Sequence, residues 1–136
     1  MDTAVSAIVS KVYLADASAE VRRRLARLLD AIAGVEIAGE AEDCDAALEG
    51  IRASGADIAV LDLHLTGGNS LELIGALSRG EVSVVVIVLT NYTARAFRDA
   101  CMAAGADFFF DKTSEFDAAC RAIERIARAR GARPGE

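Results

Sequence analysis

Several things are scarce in this chain of 136 residues. Its three cysteines, Cys44, Cys101 and Cys120, form an odd set without the Cys-x-x-Cys spacing of thiolate metal sites and redox motifs, so they read as reduced core or half-buried residues. The single histidine, His64, leaves no obvious general base for a hydrolase. The single proline, Pro134, lies in the tail. No apolar stretch reaches the ~18 residues of a membrane span, and the run from Val82 to Leu89 is far too short. Met1 to Ser10 has neither a basic n-region nor a sustained apolar h-region, so nothing marks export, and a cytoplasmic protein without membrane contact is expected. Positive charge is outnumbered, with 15 Lys and Arg against 21 Asp and Glu, a net charge of −6 and a pI near 4.8. Duplex binding rests on neutralising phosphates, so no direct nucleic-acid contact is expected.

What is present argues for one packed unit. A composition 53% hydrophobic and 26% charged is globular, and a chain of this length buries roughly two-thirds of its unfolded surface around one core. The organising stretch is Asp57-Ile58-Ala59-Val60-Leu61-Asp62, an apolar run too short for a core helix. It reads as a strand buried on both faces of a parallel sheet, with Asp62 at its carboxyl end and a turn-rich loop, His64 to Ser70, after it. Such loops are where open α/β folds keep their chemistry.

The same rhythm runs through the chain. Val12 to Ala15 is a short strand, and Ser18 is the N-cap of a helix whose Val21, Leu25, Leu28, Leu29 and Ile32 face a core, with Gly34 as its left-handed cap. Val35 to Ala38 alternates like an edge strand. A second helix follows from Asp43 or Asp45 to Gly55, its acidic start suited to the positive end of the helix dipole. Leu71, Leu73, Ile74 and Leu77 carry a third helix to Gly80, and Val82 to Leu89 is a second central strand that delivers Thr90 to the edge holding Asp62. A fourth helix spans Thr93 to Ala104, with Phe97 and Cys101 on one face. Asp107 to Asp111 is the fifth strand and leads to Lys112. Ser114 and Asp117 have capping-box-like spacing for a last helix striped by Phe116, Cys120, Ile123 and Ala127.

Five alternations of strand and helix predict right-handed crossovers and a doubly wound α/β domain: a five-stranded parallel sheet in the order 2-1-3-4-5, helices on both faces. The domain is expected over residues 9–130, with an N-terminal tail at 1–8 and a C-terminal tail or linker stub at 131–136. In that order Asp16 and Asp62 face each other across the ligand crevice, Thr90 lies beside Asp62, and the Lys112 stem can reach back. Two crowded carboxylates call for a cation, either Mg²⁺ or the Lys112 ammonium.

Four motifs in order, each at a strand end, resemble the landmarks of the response-regulator receiver domain of two-component signalling: Tyr13-Leu14-Ala15-Asp16, Val60-Leu61-Asp62, Val88-Leu89-Thr90 and Phe109-Phe110-Asp111-Lys112. The resemblance implies a signalling domain and not an enzyme. Asp62 would accept a phosphoryl group from a histidine kinase or phosphotransfer protein and change the affinity of a downstream protein partner. It implies Mg²⁺ held by Asp16, Asp62 and the His64 backbone carbonyl, Lys112 paired with the phosphoryl oxygens, Thr90 moving to bond them, and Phe109 as an aromatic switch. The output face would be the fourth helix, fifth strand and fifth helix, where a homodimer could also form.

Departures accompany the match. Receivers usually carry two adjacent acids after the first strand, the second being the direct metal ligand, and here that position is Ala17. Removing one carboxylate near a divalent ion deletes gross attraction of roughly 4 kcal/mol per unit charge pair at an effective dielectric of ~20, part of which water restores. Mg²⁺ binding is therefore expected to be weakened, and a pseudo-receiver that binds partners without efficient phosphorylation is the rival reading. Thr66 stands where proline is common, Ser70 where glycine is, and Thr113 in place of the proline after Lys112. His64 reads as an exposed loop histidine governing access in preference to a metal ligand. Tyr92 either covers the pocket or is a half-exposed aromatic at a helix start. Arg22, Arg23, Arg24 and Arg27 read as a solvated face, with kinase docking as the alternative. Arg121, Arg125, Arg128 and Arg130 read as solvated or paired with neighbours such as Glu124.

Overall fold

The computed structural model describes residues 8–80 and 83–131. Its elements alternate without exception: β1 Ser10–Ala15, α1 Ala19–Asp30, β2 Val35–Ala41, α2 Cys44–Ser54, β3 Ile58–Leu61, α3 Ser70–Ser78, β4 Val85–Thr90, α4 Arg95–Ala104, β5 Phe108–Asp111 and α5 Phe116–Gly131. The five strands form one parallel sheet in the order β2-β1-β3-β4-β5, as the alternation requires.

Period-two patterning of the central strands sorts their side chains into two layers. Val12, Leu14, Ile58, Val60, Ile87 and Leu89 point to one face and pack with Leu25 and Leu29 of α1 and Phe116, Ala119 and Ile123 of α5. Tyr13, Ala15, Ala59, Leu61, Val86 and Val88 point to the other, against α2, α3 and Cys101 of α4. Local chemistry starts the first three helices. The Ser18 hydroxyl accepts from the Val21 amide at 3.2 Å, Asp43 Oδ1 from the Ala46 amide at 2.8 Å, and Asn69 Oδ1 from the Leu71 amide at 2.8 Å, each meeting a donor that the first helical turn leaves unpaired. Gly55, at φ 69°, closes α2 in the left-handed conformation.

Some local expectations are corrected. Helix α1 ends at Asp30, and Gly34, though at φ 82°, belongs to the turn before β2, where its carbonyl accepts from the Ser10 amide at 2.8 Å. Leu28 is exposed, because Leu25 and Leu29 already fill the stripe facing the sheet. Helix α3 stops at Ser78, not Gly80, with Arg79 as its C-cap. Strand β4 begins at Val85 because its pairing with β3 begins there; the expected start at Val82 lies outside the described residues. Helix α4 starts at Arg95, not Thr93, and Phe97 is exposed because it overhangs an open pocket beside α3 instead of the sheet. The capping box of Ser114 and Asp117 is not formed. Glu115 takes that place, its carbonyl accepting from the Ala119 amide at 3.0 Å and its Oε1 from the Asp111 amide at 2.9 Å. All three cysteines are free, Cys44 and Cys101 buried and Cys120 half-buried.

Candidate functional site

The carboxyl edge of the sheet gathers four residues by backbone pairing alone. The Asp16 amide donates to the Ala41 carbonyl at 3.0 Å, the Asp62 amide to the Ala15 carbonyl at 3.0 Å, and the Lys112 amide to the Thr90 carbonyl at 2.8 Å. Residues just past their strands are thus held as firmly as the strands themselves, which is what a preorganised site needs.

Their side chains meet at Lys112. Its Nζ donates to Asp16 Oδ2 at 2.6 Å and to Asp62 Oδ2 at 2.9 Å, with the lysine side chain 12% exposed and the two carboxylates less so. Burial lowers the lysine pKa, but the hydrogen bonds to Asp16 and Asp62 and the charges of both carboxylates outweigh it, so the ammonium is held above its ordinary value of 10.5. Both oxygens of Asp16 are engaged, since its Oδ1 accepts from the Ser18 amide at 2.8 Å. Asp62 has only one engaged. Its Oδ1 is buried and has no hydrogen-bond partner, the arrangement of an oxygen kept available for a reaction or a ligand.

Thr90 is fully buried at the next strand end, its Oγ1 accepting from the Tyr92 amide at 3.2 Å. His64 is exposed and its Nδ1 shares a 3.0 Å hydrogen bond with the Tyr92 hydroxyl, so the two form one aromatic flap at the rim of the site. Phe109 lies away from this edge, buried on the α4 side of the sheet, with the Arg98 guanidinium 5.4 Å from its ring centre. Ala17, at the metal-ligand position of the resemblance, is an exposed methyl beside Asp16.

Two contributors escaped the sequence reading. Arg22 is no part of a solvated face: 13% exposed, it pairs with Glu40 at 2.8 Å and donates to the Asp16 carbonyl. Ser70 donates to the Leu63 carbonyl at 3.0 Å and, more weakly, to that of Asp62 at 3.3 Å, clamping the loop after the acceptor strand. Contacts between elements leave no periodic signal in sequence, and with the second strand expected to stop at Ala38, nothing singled out Glu40 as a partner for Arg22. Arg128 pairs with Glu124 at 3.0 Å, as their spacing suggests.

A sequence model of the response regulator receiver domain matches residues 12–124. The chain is 34% identical over 121 residues to the DNA-binding transcriptional activator DevR/DosR of Mycobacterium tuberculosis, a match covering 88% of this chain and 55% of that protein. It is 31% identical over 118 residues to the nitrate/nitrite response regulator protein NarP of Escherichia coli, covering 87% and 55%. Among solved structures, the signal receiver domain of the response regulator NarL from M. tuberculosis superposes with a TM-score of 0.81 at 27% identity, covering 90% of this chain and 98% of that one. The chain spans about half the length of the curated relatives it matches. None of the described helices is long and apolar enough to cross a membrane.

These relatives correct one expectation. A protein named a DNA-binding transcriptional activator is at odds with the absence of direct nucleic-acid contact inferred from net charge. Net charge sums the whole surface, whereas phosphates are met by a local patch. With the family model spanning most of the chain and the sheet order and strand-end residues in place, this protein belongs to the response-regulator receiver domain family.

Proposed function

We propose that Asp62 is the phosphoacceptor of a two-component signalling receiver. The observation that carries this reading is the unpartnered, buried Asp62 Oδ1 beside an Oδ2 already bound to Lys112. Oδ1 attacks the phosphorus of a phosphohistidine on a histidine kinase or phosphotransfer protein. The new P–O bond forms as the donor's P–N bond breaks, and the departing imidazole keeps that electron pair. Lys112 neutralises charge on the acceptor and is placed to follow the phosphoryl oxygens, which carry more charge than the carboxylate alone. Thr90, whose hydroxyl oxygen accepts from the nearby Tyr92 amide, turns its own hydroxyl proton to a phosphoryl oxygen, and Phe109 transmits the change to the α4 side of the sheet. The two arrangements differ in partner affinity, so phosphorylation acts by population shift. Since its relatives are regulators of transcription, we place the output in transcriptional control, with nucleic acid among the partners of the full system.

The residues fit Mg²⁺ only loosely. Asp62 Oδ1 and the His64 carbonyl would hold it directly and Asp16 through water, while position 17 offers no side-chain oxygen; among the described residues no group of three His, Cys, Asp or Glu side chains is disposed to hold a metal. When bound, the ion supplies positive charge to the phosphoryl oxygens. This shortfall favours a second reading, a pseudo-receiver regulated by partner binding alone.

Incubation with a small acyl phosphate, with and without Mg²⁺, separates the two. The expected result is an intact-mass increase of one phosphoryl group that Asp62→Asn abolishes. No increase at high donor and metal concentrations rejects the phosphoacceptor reading.

A further inference from the structure

Three of the five large apolar side chains left exposed among the described residues, Leu71, Tyr92 and Phe97, surround one opening. It is a pocket of about 290 Å³ between the start of α3 and α4, lined in part by the loop that follows Asp62. Single exposed apolar residues are ordinary, but a concave cluster of them marks a binding site. Its floor is Leu63, Ala100 and the buried Cys101. Its wall is a run of three rings: His64 and Tyr92 lie 5.6 Å apart between centroids and are joined by their hydrogen bond, and Phe97 meets Tyr92 edge-on at 5.7 Å. Rings so fixed present edges and faces to a flat guest at little entropic cost.

The lining also says what the guest is not. None of the lining residues is an aspartate, glutamate, lysine or arginine, so a cation would lose its hydration without an ionic partner. An anion would meet at most His64 at the rim and would sit near Asp62. One polar handle remains. The Asn69 Oδ1 is committed to the Leu71 and Glu72 amides at 2.8 and 3.3 Å, which leaves its amide NH₂ as a donor at the pocket rim. The volume lies at the small end of ligand pockets, about 300–1,000 Å³.

We infer that this pocket between α3 and α4 binds a small, uncharged aromatic molecule carrying a carbonyl acceptor. Binding there does not require Asp62 to be phosphorylated. The pocket adjoins the phosphoryl site through shared residues: His64 and Tyr92 of the rim flap, and Ser70, which lines the pocket and also bonds the carbonyls of Asp62 and Leu63.

The test is titration of the ¹⁵N-labelled full chain with benzamide, using benzoate and cyclohexanecarboxamide as charged and non-aromatic controls. Benzamide is expected to shift the amides of Leu71, Tyr92, Phe97 and Ala100 saturably, with a Kd of about millimolar as befits a fragment of this size. Both controls should bind about tenfold more weakly or worse. Ala100→Leu, which fills the floor, should abolish the shifts, and Phe97→Ala, at a half-exposed position that tolerates truncation, should weaken them about tenfold or more while the rest of the spectrum stays native. No saturable shift at these residues, benzoate binding as tightly as benzamide, or unchanged binding in both variants would overturn the proposal.

Discussion

Taking away the Lys112 ammonium would leave Asp16 and Asp62, 4% and 6% exposed, facing each other with no cation between them. Breaking a buried ion pair from one side costs about 3–5 kcal/mol, because the remaining charge is desolvated and uncompensated. Lys112→Ala should therefore lower the urea-derived stability by about 3 kcal/mol, and by at least about 1 kcal/mol less in an Asp62→Asn background, where one of the orphaned charges is gone. Equal losses in both backgrounds would mean that Lys112 acts through packing alone. Ala17 invites the opposite experiment. Ala17→Asp adds a carboxylate beside Asp16 at the exposed mouth of the site, and Mg²⁺ affinity by calorimetric titration should rise about tenfold or more. Unchanged affinity would show that the missing acid is not what limits the metal.

At the scale of elements, the least ordinary contact is where β1 meets α2. Tyr13 reaches across the edge of the sheet between Gly39 of β2 and Gly50 of α2 and donates its hydroxyl to the Glu40 carbonyl at 3.1 Å. A methyl group at Gly50 would fall on the Tyr13 hydroxyl, and one at Gly39 would come within 2.6 Å of the ring. These glycines are therefore present for space and not for backbone freedom. Gly50→Ala should destabilise by about 1–3 kcal/mol through overpacking. In a Tyr13→Val background the same change should be neutral or stabilising by up to about 1 kcal/mol, since alanine is then simply the better helix former. A destabilisation of equal size in both backgrounds, measured by urea unfolding, would place the clash elsewhere. The pair was invisible beforehand because a tyrosine in an apolar strand reads as one more core residue.

At the scale of the molecule, every titratable group with a resolved shift among the described residues moves the same way. Burial pushes up the thiols of Cys44, Cys101 and Cys120 and the phenol of Tyr13, and its carboxylate partners raise Lys112 against its own burial. Each group holds its proton more tightly folded than unfolded. Each contribution is thus complete below the unfolded pKa and is lost as pH rises through the folded one. The thiols start from 9.0 and Lys112 from 10.5, so stability should fall progressively above about pH 9, with the thiols first. Urea midpoints that stay level from about pH 8 to 11 would refute this.

The order of the strands, the two-layer split and the strand-end placement of Asp16, Asp62, Thr90 and Lys112 were legible in the sequence, because they follow from local causes. Period-two and 3.6-residue patterns, caps and glycines act within a few residues, and βα alternation leaves one handed way to wind the sheet. Helix ends were less legible, as at Gly34 and Ser114, where several residues compete to cap and the surrounding turn decides. Composition was too coarse a ground for excluding nucleic acid, since it reports only the sum of charge, and a relative of similar sequence is named a DNA-binding activator. What only the tertiary structure decided are the contacts between elements: Lys112 bonded to both carboxylates at once, Asp62 Oδ1 left without a partner, Arg22 drawn from its helix face to Glu40, and the pocket walled by Tyr92 and Phe97. These depend on distances between residues far apart in the chain, which packing sets and sequence periodicity cannot express.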